Sequence, residues 1–496
     1  MSTNQSDKKA YRDIVKATSV FGGVQVFNIL IGIVRSKIIA ILLGPEGMGI
    51  SGLLQSATSL ITGLTSMGLG SSAVKDVAQA NTTGDSHKIG STIATFKKLI
   101  WITGLLGIAV TVILSPLLSQ WTFGNKDFTL AFVFLSVTLL LQQLTNGNNV
   151  VMQGMRKINH LAKSGVVGST LGLLISIPIY YYFGIQGIVP TIILTSISTV
   201  ITTWYFARKT PIKKAKVTYT EAFTKGKGMM KLGIAMSANS VLVLGIAYIL
   251  RIFIEREGGI VAVGLFTAGW AVINTYTGLI FTSMSTDYFP RLAAVNNDNA
   301  KGNEVINQQA EIAVLIMSPL IVLFLLFVPA IVTILYSSKF IGINGYMEWA
   351  LLGMSFKAVS WAIAYQFIAK GDSKLFFINE LIANLYILIL NIIGYKLYGF
   401  NGLGISFTIS YIIYALQVYF IARKKYNYRL SLKISRCMLI HTPLIIAVFL
   451  SIRLIDGFLG YSLGGIFALI SLILAYKELN RLLDIKQILS KHLLKR

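Results

Sequence analysis

The feature that most constrains this chain is a series of apolar stretches, each long enough to cross a lipid bilayer as a helix. A membrane-spanning helix needs about 20 mostly apolar residues, and inside hydrocarbon a helix satisfies its own backbone hydrogen bonds. Such stretches follow one another along almost all of the 496 residues, of which 54% are hydrophobic and 13% are charged. The sequence therefore predicts an all-α polytopic membrane protein rather than a soluble globular one.

We predict about 14 transmembrane helices, separated by short polar links. They are 18–43, 49–74, 90–115, 128–154, 160–183, 186–207, 231–254, 261–287, 306–336, 346–369, 375–397, 401–422, 436–455 and 459–477. Lys and Arg concentrate in 1–16, 208–231 and 423–436, which hold 4, 8 and 6 of them, whereas the alternate loops hold very few. The positive-inside rule then places both termini in the cytoplasm of a multi-pass inner-membrane protein.

Several motifs recur at one interval, which indicates an internal duplication. Phe183–Gly187 matches Tyr398–Gly402, and Ala207–Lys209 matches Ala422–Lys424, with the same separation along the chain in both cases. Since each half holds six spans, the two halves have the same orientation and form a parallel repeat. We divide the chain into a cytoplasmic N-terminus (1–17), an N-terminal six-helix lobe (18–209), a basic cytoplasmic linker (210–230), a C-terminal six-helix lobe (231–424), two additional transmembrane helices (436–477) and an amphipathic basic tail (478–496).

The first span carries a polar stripe. On a helix, Thr18, Gln25, Asn28, Gly32 and Arg35 lie within one quadrant, because successive residues are turned by about 100°. A charge at membrane depth costs at least about 3 kcal/mol, so Arg35 should face a protein interior or a watery cavity. We therefore predict that this helix lines a polar space.

Further cations and amides lie within apparent spans, and together they suit an anionic, hydroxyl-rich cargo such as a sugar phosphate. Our candidate substrate-binding residues are Arg35, Lys37, Arg251, Lys357, Gln25, Asn28, Gln55 and Asn274. We assign Lys75, Asp76, Glu255, Asp287, Arg291 and Lys370 to gating or to ion pairs. Each cation could instead have a structural role, either paired with a carboxylate or extended to the membrane interface. For Arg251, the candidate carboxylate is Glu255, which lies one helical turn away. The first-half counterpart of Lys357 is Gln142.

Other classes of function lack support in the sequence. It contains no Walker loop, nucleophile elbow, His-Glu-x-x-His motif or dinucleotide fingerprint, so we predict no catalytic residues and no enzyme activity. The single cysteine and four scattered histidines predict no metal site. The net charge of +25 collects between spans, which argues against a nucleic-acid partner. We expect no cofactor, except that a coupling ion, H⁺ or Na⁺, stays open.

Four motifs carry a resemblance to a known family. They are Leu42–Gly49, Ser72–Gln79, Tyr336–Phe340 and Ile368–Ser373, the last followed by Asn379 and Glu380. In this order and spacing, from about residue 10 to 425, they resemble bacterial polysaccharide flippases of the O-antigen and enterobacterial-common-antigen type, in the multidrug/oligosaccharidyl-lipid/polysaccharide exporter superfamily. The resemblance matches Lys37, Lys75, Arg251, Lys357 and Lys370 to basic positions of such translocases.

This resemblance implies two six-helix lobes around a central cavity and a transport function. The cargo would be an undecaprenyl-pyrophosphate-linked oligosaccharide, moved from the cytoplasmic to the outer leaflet by alternating access for lipopolysaccharide or related surface-polysaccharide biosynthesis. Its partners would be the lipid-linked oligosaccharide, membrane lipids, and the polysaccharide polymerase with its chain-length machinery. The alternatives are a cation-coupled multidrug antiporter on the same scaffold and a non-transporting membrane scaffold for glycan assembly.

Overall fold

The computed structural model describes residues 27–213 and 215–483. Within these ranges the chain forms α-helices with short 3₁₀ and π segments, and it contains no β-strand. The prediction of an all-α polytopic membrane protein is therefore confirmed. The helices are α1 (27–42), α2 (Gly44–Thr65), α3 (Leu69–Thr82), α4 (Ser86–Phe123), α5 (Thr129–Gly154), α6 (Ile158–Phe183), α7 (Ile188–Ala207), α8 (Tyr219–Trp270), α9 (Thr277–Ala294), α10 (Asn299–Leu335), α11 (Asn344–Ala369), α12 (Ser373–Tyr426), α13 (Leu432–Leu454) and α14 (Gly457–Leu483).

Nine helical stretches of the described chain are long and apolar enough to cross a membrane. Three of them, Ile158–Ala207, Tyr219–Asn274 and Ser373–Tyr426, contain 50, 56 and 54 residues. At a rise of about 1.5 Å per residue, each is more than twice as long as one crossing requires. Each also contains a break in the regular helix, at Gly184–Gly187, at Gly259 and at Tyr398–Gly399 respectively. Each stretch therefore has the length of two predicted spans.

The helix boundaries and backbone angles repeat at the same interval as the sequence motifs. Helix α5 begins at Thr129 and α11 at Asn344, and both contain 26 residues. Gly184 has φ 52° and ψ −131°, while Gly399 has φ 56° and ψ −132°. Only glycine adopts this region of backbone conformation readily, so the same bend recurs for the same reason.

The chain divides into two compact units, the first ending at Gly264 and the second beginning at Leu265. The first comprises α1 to α7 and α8 up to Gly264, and one of its apolar cores includes Val77, Phe96 and Val151. In the second unit, an apolar core joins residues of α9 to α13, among them Tyr288, Ile363 and Tyr428. This unit boundary lies beyond the basic linker, so the division into lobes at 209 and 231 stays a prediction.

The second predicted span, 49–74, is not one continuous helix. Helix α2 ends at Thr65, and the chain passes through Met67 and Gly68, both with positive φ, before α3 begins. A Cβ atom on Gly68 would lie 2.0 Å from the carbonyl oxygen of Gly233, so the two backbones pack directly against each other here. A close approach of this kind requires glycine, and apolarity alone does not reveal it.

The turn between α11 and α12 is fixed by the acidic residue that precedes α12. Asp372 accepts a hydrogen bond from the hydroxyl of Tyr426 and forms an ion pair of 3.0 Å with Lys425. These two contacts hold the pKa of the Asp372 carboxyl below its ordinary value of 3.8. At the C-terminal end, α14 continues to Leu483, and the rest of the predicted tail lies outside the described residues.

Candidate functional site

The first unit contains a polar cavity of about 690 Å³ formed by α1, α5, α6 and α7. We call it the amide cavity, because five asparagine or glutamine side chains line it, with hydroxyl groups and one arginine. Its polar lining residues are Asn28, Arg35, Gln142, Thr145, Asn146, Asn149, Gln153, Ser164, Ser169, Thr195, Ser196, Thr199 and Thr203. Among the described residues, its lining includes no aspartate or glutamate.

Four of the amides come from one face of α5. Gln142, Asn146, Asn149 and Gln153 are spaced by four, three and four residues, which places them one above another along a helix. Helix α6 faces the cavity with small residues, including Gly168 and Gly172, which leave the space open. A stripe of amides across from small residues is suited to bind a ligand that is rich in hydroxyl groups.

Helix α1 supplies the charge of the amide cavity. Arg35 is half-buried in the cavity wall and lies against the hydroxyl of the buried residue Tyr180. On the same stripe, Asn28 Oδ1 accepts a hydrogen bond of 2.9 Å from Ser169 Oγ on α6. The structure therefore brings Asn28 and Arg35 together with Gln142, the residue that the duplication matches to Lys357.

In the second unit, Lys357 lies among polar and aromatic groups. Its Nζ donates a hydrogen bond of 2.9 Å to Asn274 Oδ1, and it lies 5.0 Å from the ring centre of Tyr411 and 5.5 Å from that of Phe407. Asn274 belongs to a π-helical segment, Ala271–Tyr276, an irregularity often found at functional sites. The ammonium group thus has one amide acceptor and two ring faces, which stabilise a cation without neutralising it.

Close to Lys357 in sequence, α12 carries an acidic group within a hydrogen-bonded network. Glu380 Oε1 accepts hydrogen bonds from the hydroxyl of Tyr414 and from Asn379 Nδ2. Asn379 Oδ1 in turn accepts a bond of 2.8 Å from Gln417 Nε2. The carboxylate is therefore held by uncharged donors, as expected for an acidic group at membrane depth.

Arg251, in the first unit, is 9% exposed, and its Nη1 donates a hydrogen bond of 3.0 Å to the carbonyl oxygen of Ala247 one turn earlier. The hydroxyl of nearby Tyr248 is hydrogen-bonded to Thr122 of α4. Arg251 is not among the residues that line the amide cavity. The structure therefore places Arg251 outside the cavity that Arg35 lines.

The remaining predicted residues lie in several places. Lys37 and Gln55 do not line the amide cavity, and Gln55 Nε2 instead donates to Ser51 Oγ. Asp287 and Arg291 form an ion pair of 2.9 Å in which both side chains are largely exposed. Lys75 is exposed, whereas Asp76 and Glu255 are half-buried. Lys370 Nζ donates hydrogen bonds to the carbonyl oxygen of Asn296 and to Asn299 Oδ1. Gln25 lies outside the described residues.

The sequence interpretation missed most of the amide cavity. Asn146, Asn149, Gln153 and Ser169 are not among the predicted site residues, although the first three share the face of Gln142. A search for amides at helical spacing within an apolar span would have found this stripe. Among residues 27–213 and 215–483, no three histidine, cysteine or carboxylate side chains lie close enough to hold a metal ion.

Comparisons with known proteins give one family match and two curated relatives. A model of the family described as "Polysaccharide biosynthesis protein" matches residues 38–344. Two curated relatives named "Lipid III flippase", from Escherichia coli (strain K12) and Shigella flexneri, are each 22% identical over 389 residues, covering 77% of this chain and 92% of the relative.

Solved structures share the fold. An inward-facing multidrug resistance MATE family transporter of the MOP superfamily has a TM-score of 0.69 at 17% identity, covering 81% of this chain and 94% of that one. The lipid II flippase MurJ, in an inward closed conformation, has a TM-score of 0.67 at 13% identity, covering 94% of this chain and 99% of that one. At such identities these structures establish the fold.

Proposed function

The chain belongs to the polysaccharide biosynthesis protein family, and from that membership we propose that it is a lipid-linked oligosaccharide flippase. It would move an undecaprenyl-pyrophosphate-linked oligosaccharide from the cytoplasmic to the outer leaflet by alternating access. Its similarity over most of its length to two proteins named lipid III flippase supports this class of cargo. The fold it shares with the lipid II flippase MurJ is compatible with the same step.

The observation that carries the proposal is the chemistry of the amide cavity. Its described lining offers one cation, Arg35, five amide side chains and several hydroxyl groups, without a carboxylate. A diphosphate is recognised by charge-assisted hydrogen bonds from guanidinium groups, and sugar hydroxyls are recognised by amides that both donate and accept. A cavity of about 690 Å³ is within the usual size range for binding a small-molecule group.

In this proposal the residues have distinct roles. Arg35 holds the diphosphate, and the amide stripe from Gln142 to Gln153 binds the first sugars. In the second unit, Lys357 supplies a further cation, which is hydrogen-bonded to Asn274 and lies near two aromatic rings. Moving negative charge out of a negative-inside cell is favourable by about 2.3 kcal/mol per charge per 100 mV, which supplies one driving force. Coupling to H⁺ or Na⁺, a polymerase partner and cytoplasmic termini belong to the same proposal.

One observation favours a second candidate, a cation-coupled multidrug antiporter. A transporter of organic cations needs an acidic group at membrane depth, and Glu380 is such a group. Its oxygen already accepts two hydrogen bonds, and the amide cavity has the opposite charge. We therefore place this function second.

The test is transport by the purified protein in liposomes. A fluorescent lipid-linked diphosphate oligosaccharide is supplied in both leaflets, and a membrane-impermeant quencher reports exchange between leaflets over time. The flippase proposal expects faster exchange with the protein than with empty liposomes, and no saturable uptake of an organic cation. Cation uptake driven by a proton or sodium gradient, without lipid exchange, would favour the antiporter. Absence of both activities in correctly inserted protein would favour the scaffold alternative.

A further inference from the structure

A second cavity, of about 520 Å³, lies where the basic linker folds back on the first unit. We call it the linker pocket. Its walls come from α4, α5, the end of α7 and five linker residues, Thr210, Ile212, Lys213, Ala215 and Lys216. It shares no lining residue with the amide cavity. The density of basic residues here predicts that the pocket lies on the cytoplasmic side of the membrane.

The linker pocket is basic. Lys97, Arg208, Lys213 and Lys216 line it, and within the described part of the chain none of them forms an ion pair. Thr210 also lines it and is 4% exposed, yet its Oγ1 has no hydrogen-bond partner among the described residues. A buried hydroxyl without a partner is costly, so a ligand acceptor at this point would satisfy it.

The internal duplication allows a comparison, because the second unit contains helices that correspond to those around the linker pocket. Helices α4 and α10 both begin directly after a capping aspartate, and counting from these starts pairs Ala94 with Asn307 and Lys97 with Ala310. Counting in the same way from the starts of α5 and α11 pairs Asn148 with Ile363. Lys97 and Asn148 of the linker pocket are thus replaced by small or apolar residues in the second unit.

In the second unit, the chain itself packs against the position that corresponds to the linker pocket. Asn307 Nδ2 donates to the carbonyl oxygen of Arg429, and Asn307 Oδ1 accepts from the hydroxyl of Tyr428 and from the amide of Ser431. Tyr428 is fully buried and belongs to the apolar core that also contains Ile363. Two copies of one structural element therefore differ, because the first forms a basic pocket whereas in the second the chain packs against Asn307 at the corresponding position.

Part of the lining of the linker pocket is apolar. Trp204, at its edge, is 52% exposed and lies on a face of α7 suited to contact lipid tails. The guanidinium of Arg208 lies 4.8 Å from the ring centre of Trp204, a cation–π contact, and tryptophan is enriched at the boundary between lipid tails and headgroups. A ligand that fits must combine a negative headgroup with apolar chains.

We propose that the linker pocket binds the phosphate headgroup of an anionic phospholipid of the surrounding bilayer. The phosphate would contact Lys97 and Arg208, a phosphate or glycerol oxygen would accept from Thr210, and an acyl chain would run along Trp204. Basic pockets between transmembrane helices on the cytoplasmic side are typical sites for such headgroups. This site is separate from the proposed cargo site, and lipid bound there would join the linker to α4 and α7.

The test measures lipid binding to the detergent-purified full chain by native mass spectrometry, with cardiolipin, phosphatidylglycerol and phosphatidylcholine titrated separately. Two double variants are designed to remove the binding groups of the pocket. The first is Lys97→Gln with Arg208→Gln. The second is Lys97→Ala with Asn148→Ile, which introduces the residues found at the corresponding positions of the second unit. The matched control is Arg423→Gln with Lys433→Gln, which removes two charges from the second unit. Arg423 is the counterpart of Arg208.

We expect wild type and the control to retain one tightly bound anionic lipid in preference to phosphatidylcholine. Each charged group near a lipid surface contributes about 1 kcal/mol, so removing two should weaken that binding by about 30-fold. The second variant should also lose the bound lipid, and because Asn148 donates a hydrogen bond to Thr203, a thermal melt must show that this variant is folded, which separates a lost site from misfolding.

Three results would overturn the proposal. The first is equal binding by the pocket variants and the control, and the second is equal affinity for phosphatidylcholine and cardiolipin. The third is displacement by inorganic phosphate or by a lipid-linked diphosphate at the concentration of the phospholipid, which would assign the pocket to a free phosphate or to the cargo. Since none of these readouts uses transport, failure of the flippase proposal would leave this test unaffected.

Discussion

Replacing Arg35 by glutamine removes the single charge in the described lining of the amide cavity while keeping a polar side chain. In the proposed function this guanidinium donates to the diphosphate of the cargo. A hydrogen bond to a charged group contributes about 1.5–3 kcal/mol, so the transport rate at limiting cargo should fall about 10- to 150-fold. Arg35→Lys should fall between wild type and Arg35→Gln, because an ammonium keeps the charge but cannot bind bidentately.

The assay is lipid exchange in liposomes at cargo concentrations well below saturation, with equal amounts of inserted protein. Lys126→Gln is the matched control, since it removes one exposed charge from the loop between α4 and α5 and should transport at the wild-type rate. Arg35 also lies against the hydroxyl of Tyr180, so a thermal melt must show that Arg35→Gln is folded. A folded Arg35→Gln protein with the wild-type rate would refute the diphosphate role.

Three further predictions use other parts of the chain. Lys357→Met should lower exchange at limiting cargo by about tenfold, because one charge-assisted contact is lost; an unchanged rate would make this lysine structural. Gly264→Ala should lower the melting temperature, because its Cβ would lie 1.7 Å from the carbonyl oxygen of Pro45, whereas Gly278→Ala meets nothing within 4 Å and should melt like wild type. Asp372→Asn should lower stability near neutral pH, and the difference from wild type should shrink as the pH falls below 3.8 and through the depressed pKa of the folded-state carboxyl, because that carboxyl stabilises the fold only while it is ionised; a pH-independent difference in melting temperature would contradict this.

The candidate site was predicted in part. Asn28 and Arg35 share a helix face, and this local pattern was sufficient to place them on one polar wall. Lys37 and Gln55 satisfied the same criterion of polarity at membrane depth, yet they do not line that wall. The difference arises because polarity indicates that a side chain avoids lipid, whereas the packing of neighbouring helices decides what it faces instead.

The class of the chain, its helices and its duplication can be predicted from the amino-acid sequence, because these depend on local composition and on spacing along the chain. Apolar length predicts a membrane helix, and the repeat interval is equally visible in the motifs and in the bends at Gly184 and Gly399. Which polar residues lie together depends on how the helices pack, and the sequence does not show this. Arg35 and Gln142 are far apart in the sequence, and they line one cavity because α6 presents glycines where larger side chains would fill the space. The linker pocket also depends on packing. It is open, whereas in the corresponding part of the second unit Asn307 forms hydrogen bonds with Tyr428 and Arg429.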